Sequence, residues 1–200
     1  MKTKPPNDGA IFGRLLAFFI LTLLSSNSYG HGAYPAVVGL VETDPLIIKS
    51  TFGIWLPREN TQYQLFCEEL YQGSITPEAI LDKDGALYVG LFKGVLRIDP
   101  NTCSIEQLKI DEEELYVRSF THGPDNEILL VTSSGGKDNG IFRGENNNTT
   151  WTREGPPETD LYFTSIKNAG SGKFMALGFR INPETDERTA FICERQTTGQ

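Results

Sequence analysis

Pro57, Cys67 and Glu68 recur as Pro183, Cys193 and Glu194, displaced by 126 residues each time. Two further segments with the same succession of short apolar runs and turns lie between the copies. Three steps therefore cover the 126 residues, and the period is 42. A unit of that length holds about four short strands, and one such sheet cannot cover both of its own faces, so units must stack.

Four units can be read. The first runs from about Tyr34 to Leu70, with strands AVVGLV, LIIKST, GIWLP and YQLFCEE. The second, about Ile75 to Ile110, reads AILD, ALYVGLF, GVLRID and SIEQLKI around the turn Lys83-Asp84-Gly85. The third, about Val117 to Gly155, reads VRSFTH, EILLVTS, GIFRG and TTWTRE. The fourth, about Tyr162 to Arg195, reads FTSIKN, KFMALGFRIN and TAFICER. Leu87, Leu129 and Phe174 are expected at equivalent places on the second strands, at spacings of 42 and 45. The pattern predicts an all-β chain, a β-propeller of four-stranded blades with about four blades present. A β-sandwich with regular turns is the alternative, but it does not require likeness at a fixed step.

The first thirty residues read as a secretory signal peptide. Lys2, Lys4 and Arg14 precede a short apolar core from Leu15 to Leu24, and Ser28-Tyr29-Gly30 supplies small residues for cleavage. The apolar core is too short for a permanent span, so no membrane span is expected after cleavage. Residues 31–200 then form the propeller domain, secreted or periplasmic. Losing Lys2, Lys4, Arg14 and Asp8 takes the formal net charge from −8 to −10. Such a surface repels phosphate backbones and anionic lipid, which argues against a nucleic-acid partner.

Gly144-Glu145-Asn146-Asn147-Asn148-Thr149-Thr150-Trp151 resembles a degenerate Asp-box, the Ser-x-Asp-x-Gly-x-Thr-Trp hairpin of sialidase-type propellers. Asn146 stands for the Asp and Asn148 for the Gly, while Thr150 and Trp151 match. Vestiges remain at Arg58-Glu59-Asn60, Asp99-Pro100-Asn101 and Glu184-Thr185-Asp186. Ser50-Thr51-Phe52-Gly53-Ile54-Trp55 followed by Phe66-Cys67-Glu68-Glu69 is similar to a recurrent unit of envelope propellers from deltaproteobacteria. The chain thus resembles the sialidase-like and photosystem II assembly-factor-like repeat superfamily. The resemblance implies that the Asp-box is a structural turn on the blade periphery. The clustered arginines and Tyr/Glu nucleophile pair of true sialidases have no recognisable counterparts.

Export favours disulfides. Cys67 ends the first unit and Cys103 lies 36 residues on, in the last turn of the second. Adjacent blades would bring them together, and a disulfide there would contribute on the order of 3–4 kcal/mol. Two buried free thiols are the alternative. Cys193, the repeat counterpart of Cys67, is left as an unpaired or intermolecular thiol. Its missing partner is the reason to expect the front part of a longer ring, against a complete four-bladed one.

His31 would be the new amino terminus, and His122 is the only other histidine. A copper site of the amine-and-imidazole kind would need both, and two histidines alone are thin support for a metal. The acidic run Asp111 to Glu114 reads as a solvated connector, with Ca²⁺ binding as its alternative. Trp55 and Trp151 read as packing residues. No catalytic residue, cofactor or metal ligand is assigned. The reading is an exported, non-catalytic propeller that binds or scaffolds a protein or glycan. A sialidase-like glycoside hydrolase or lyase with its site in the central channel is the alternative.

Overall fold

A computed structural model describes residues 36–58, 62–67, 70, 78–111, 113–123, 127–155, 157 and 159–196. The leader, His31 and Glu59–Asn60 lie outside them. The described residues form fifteen strands in four antiparallel sheets. Blade 1 comprises β1 (Val37–Thr43), β2 (Leu46–Ser50), β3 (Gly53–Pro57) and β4 (Tyr63–Cys67). Blade 2 comprises β5 (Ala79–Leu81), β6 (Leu87–Leu91), β7 (Gly94–Ile98) and β8 (Ile105–Leu108). Blade 3 comprises β9 (Val117–His122), β10 (Ile128–Thr132), β11 (Ile141–Glu145) and β12 (Thr150–Arg153). Blade 4 comprises β13 (Leu161–Gly170), β14 (Lys173–Ile181) and β15 (Arg188–Gln196). Within each blade the strands pair in chain order, as an up-and-down meander. The chain is an all-β, incomplete propeller of about four blades.

The first strand of each blade is innermost, since β1 packs on β5, β5 on β9 and β9 on β13. Side chains stitch the last of these seams. Ser119 Oγ accepts from Ile166 N at 3.3 Å and Thr121 Oγ1 from Asn168 N at 2.9 Å. Asn168 Nδ2 returns a hydrogen bond to the His122 carbonyl at 2.8 Å.

The second strands explain why blades must stack. Alternate side chains of a strand point to opposite faces. On β6, Leu87, Val89 and Leu91 join Ile47, Ile54, Leu56 and Phe66 of blade 1. Between them Tyr88 turns the other way, toward Val117, Phe120, Ile128, Leu130, Phe142 and Trp151 of blade 3. On β10, Leu129 and Val131 face Phe163, Ile166 and Phe174 of blade 4. A strand covered on both faces must be apolar throughout, and burying each such side chain contributes about 1.5–3 kcal/mol. The two end blades break the pattern. Val37 (68 % exposed) and Leu40 lie open on blade 1, and Leu177 and Ile192 (66 % exposed) on blade 4.

Three features differ from the sequence reading. The fourth unit has three strands among the described residues, longer than those of the other blades. Cys193 consequently lies on a third strand and Cys67 on a fourth, so the two are not structural counterparts. Leu129 is also not the counterpart of Leu87. The hydrogen bonds Asp82 N to Ala86 O and Gly123 N to Glu127 O align Leu87 with Ile128, a step of 41. A slip of one residue turns a side chain to the opposite face, as Leu129 shows.

Gly53 and Gly94 open the third strands of blades 1 and 2, with φ of 141° and 99°. A Cβ there would lie 1.9 Å from the Phe66 carbonyl oxygen and 2.2 Å from that of Leu108, respectively. The hairpin therefore lets the outer strand approach only where no side chain exists.

Candidate functional site

The turns that link first to second and third to fourth strands gather at one end of blades 1 and 2. They enclose a cleft of about 580 Å³. Its floor is apolar, from Ile47, Leu56 and Leu81. Its polar wall comprises Glu42 near the end of β1, Asp44 of the β1–β2 turn, Asp82, Lys83 and Asp84 of the β5–β6 turn, Asn101 of the β7–β8 turn, and His122 of blade 3. An apolar floor with a few convergent polar groups is the usual make-up of a binding site.

Each wall has a local cause. Asp82 is buried, and its Oδ1 accepts from Asp84 N and Ala86 N, both at 2.9 Å. That carboxylate holds the turn and leaves Asp84 and Lys83 exposed at the rim. Asp99 does the same for the β7–β8 turn, accepting from Asn101 N at 2.8 Å and Thr102 N at 3.3 Å. Those hydrogen bonds hold the Asp99 carboxyl below its ordinary range. Arg58 closes the outer side by donating to the Pro100 carbonyl and, through Nε at 2.7 Å, to Gln64 Oε1. Lys49 of blade 1 meets Glu78 of blade 2 at 3.5 Å. His122 Nδ1 is buried without a hydrogen-bond partner among the described residues.

With four carboxylates against Lys83 and His122, the cleft suits a cation better than an anion. Sequence reasoning placed Lys83-Asp84-Gly85 as a turn only. A signal was present: Glu42 and Asp44 are followed by Asp82 and Asp84, each 40 residues on.

The residues singled out from sequence lie elsewhere. Asn146, Asn147 and Asn148 form the β11–β12 turn, with φ of 50°, 58° and 58°. Asn tolerates this left-handed region best among residues with a Cβ. Asn146 Nδ2 donates to Thr150 Oγ1 at 3.0 Å, and the buried Asn148 accepts from Ile128 N at 3.0 Å. Trp151 is buried between blades 2 and 3. Trp55 lies on the uncovered face of blade 1, with Nε1 donating to Ser50 Oγ at 2.9 Å.

The expected Cys67–Cys103 disulfide is not formed; both thiols are free and exposed, and Cys193 is free and half-buried. Alternation supplies the reason. Phe66 points into the blade 1–2 core, so Cys67 points away from blade 2. Cys103 lies at the other end of the blade, where its sulfur meets Arg58 Nη2 at 3.2 Å. The acidic run is likewise dispersed. Asp111 pairs with Arg153 at 3.0 Å, Glu113 with Lys137 at 3.4 Å and Glu114 with Lys93 at 3.0 Å, while Glu112 lies outside the described residues. Among the described residues no cluster of three or more metal-ligating side chains occurs. His122 belongs to the cleft, and its proposed copper partner His31 lies outside the described residues. The innermost strands carry Glu42, Arg118, His122, Tyr162 and Lys167 as their titratable side chains.

No protein-family model and no curated protein matches the chain. Solved structures do. One is the extracellular domain of a protein described as a hybrid two-component system from B. thetaiotaomicron, with 16% identity and a TM-score of 0.50, covering 74% of this chain and 21% of that one. Another is a catalytically inactive virginiamycin B lyase from Staphylococcus aureus with quinupristin, with 17% identity and a TM-score of 0.52, covering 82% of this chain and 56% of that one. The chain spans about a fifth of the first and about half of the second. Both are β-propeller-like, and at these identities the likeness is one of fold. The class defined by fold and cleft is therefore a propeller module. Among the described residues no helix is long and apolar enough to cross a membrane.

Proposed function

We propose that this chain is an exported propeller module that binds a cationic segment of a protein or glycan partner in the cleft at the turn-bearing end of blades 1 and 2, without chemical turnover. The observation that carries the reading is the convergence of Glu42, Asp44, Asp82 and Asp84 over the apolar floor of Ile47, Leu56 and Leu81. A cationic group with an aliphatic stem satisfies both surfaces at once. Two of these carboxylates sit on turns, where ligand-facing residues vary without disturbing the stacked sheets. The basic and apolar leader supports export, and the extracellular neighbour is in keeping with it. The Asp-box-like turn at Asn146–Trp151 supports membership of the sialidase-like and photosystem II assembly-factor-like repeat superfamily.

Calorimetric titration tests the reading. Saturable binding of a triarginine peptide is expected, with triglutamate inert and Asp84→Asn weakening the affinity by about 1 kcal/mol, roughly fivefold. Equal binding of the two peptides would overturn it. So would turnover of a sialoside, glycoside or cyclic ester that falls in the same variant.

A further inference from the structure

We propose that Phe92, Tyr116 and Arg118 form a docking platform for an acidic glycan, a chain of largely neutral sugars that carries an occasional carboxylate. The platform is independent of the cleft. Phe92 lies in the β6–β7 turn and Tyr116 immediately before β9, at the end of blades 2 and 3 opposite the turns that build the cleft. Both blades have a described neighbour on each side. The rings of Phe92 and Tyr116 stack with centroids 4.6 Å apart and planes 31° apart. Phe92 is nevertheless 50 % exposed. It occupies a two-residue turn between the paired Leu91 and Gly94. Such turns favour Gly, Asn or Asp, so an aromatic ring there leaves apolar surface in water that the turn itself does not need. Tyr116 is fixed by blade 3: its N–H donates to Ser134 Oγ at 2.7 Å and its carbonyl accepts from Ser133 N at 2.9 Å. A platform held in this way loses little freedom on binding.

Arg118 supplies the polar half. Its Nη1 donates to the Tyr116 hydroxyl at 2.9 Å, and its guanidinium carbon stands 5.9 Å from the centre of that ring. The side chain is exposed, and among the described residues no carboxylate pairs with it. Lys93 and Lys137 on the adjoining turns are already matched, by Glu114 at 3.0 Å and Glu113 at 3.4 Å. The guanidinium is thus the open cation beside the rings. A nucleic acid, charged at every phosphate, needs several such cations and meets a chain of formal net charge −8. A sparsely charged glycan needs one. A guanidinium takes a carboxylate through a planar pair of hydrogen bonds, and the electron-rich face of an aromatic ring attracts the polarised C–H face of a pyranose. An open platform also suits a polymer better than a small molecule, which requires enclosure on most sides.

Calorimetric titration of the whole chain tests the platform with three probes: neutral xylotetraose, xylotriose bearing one glucuronic acid, and a hexamer of thymidylate. The acidic sugar should bind about tenfold more tightly than the neutral one, and the hexamer more weakly than the acidic sugar. Arg118→Gln should remove the preference and leave the neutral affinity, whereas Phe92→Ala should weaken both sugars about tenfold. Both side chains are exposed, so the variants keep the fold. Neither should alter triarginine binding, so the platform and the cleft stand or fall separately. The proposal is overturned if neither sugar binds at about 10 mM, an affinity too weak to matter. Equal affinity of wild type for the two sugars overturns it as well. So does a preference that survives Arg118→Gln, an unchanged affinity for both sugars in Phe92→Ala, or a hexamer that binds as tightly as the acidic sugar.

Discussion

The indole of Trp151 in blade 3 meets the ring of Tyr88 in blade 2 edge-on, with centroids 6.4 Å apart and planes 82° apart. Tyr88 also donates through its hydroxyl to the Asn147 carbonyl at 3.0 Å and accepts from Arg97 Nε at 3.1 Å. One tyrosine thus joins its blade to both the turn and the plug of the next. Trp151→Ala should destabilise the domain by about 3–5 kcal/mol in urea unfolding. Trp151→Phe should cost less, because Trp151 Nε1 is buried without a partner among the described residues and Phe removes that donor. A double-mutant cycle with Tyr88→Leu should return a coupling of about 0.5–1.5 kcal/mol, and a coupling near zero would separate the two rings energetically.

Burial pushes the Tyr88 phenol up to about 12, against the opposing hydrogen bond from Arg97. The folded chain then holds this proton more tightly than the unfolded chain, whose tyrosine titrates near 10. The stabilisation is complete below pH 10 and is lost as pH rises through the folded value. Unfolding free energy measured from pH 9 to 12 should therefore fall more steeply in wild type than in Tyr88→Phe. Equal slopes would mean that Tyr88 ionises as freely folded as unfolded.

The architecture was legible because covered strands must be apolar on both faces. LYVGL of β6 and ILLV of β10 announce themselves in any reading of the chain. Facing was less legible. A step of 42 aligned Leu87 with Leu129, whereas the turn hydrogen bonds require 41, and one residue reverses every side chain in a strand. The same alternation defeated the disulfide, since Phe66 takes the inward place and Cys67 the outward one. The cleft escaped notice because its wall comes from turns far apart in sequence, each of which alone looks like ordinary turn chemistry.

Gly94 begins β7 with φ of 99°, and a Cβ would sit 2.2 Å from the Leu108 carbonyl oxygen. Neither the backbone angle nor the facing carbonyl can be relieved by a rotamer change. Gly94→Ala should cost more than the ~1–3 kcal/mol of backbone strain alone, read as a lowered urea midpoint. A midpoint within error of wild type would contradict the close approach of β8.

Arg153 spans three partners. Nη1 donates to the Asn139 carbonyl at 2.9 Å, while Nη2 donates to the Asp138 carbonyl at 3.1 Å and to Asp111 Oδ2 at 3.0 Å. The guanidinium also covers the Phe142 ring at 4.6 Å. An ammonium cannot reproduce that planar fork, so Arg153→Lys should cost about 1–2 kcal/mol in thermal or urea unfolding. Lys93→Ala, which breaks the exposed pair with Glu114, should leave the unfolding midpoint unchanged. Equal losses in the two variants would contradict this ranking.

The cleft is tested most directly by titrating ¹⁵N-labelled protein with triarginine and following amide chemical shifts. The account predicts saturable shifts concentrated at Glu42–Asp44, Asp82–Gly85, Asn101 and His122, with triglutamate silent and Asp84→Asn weakening the response. Shifts spread evenly over the acidic surface, or absent from those turns, would contradict it.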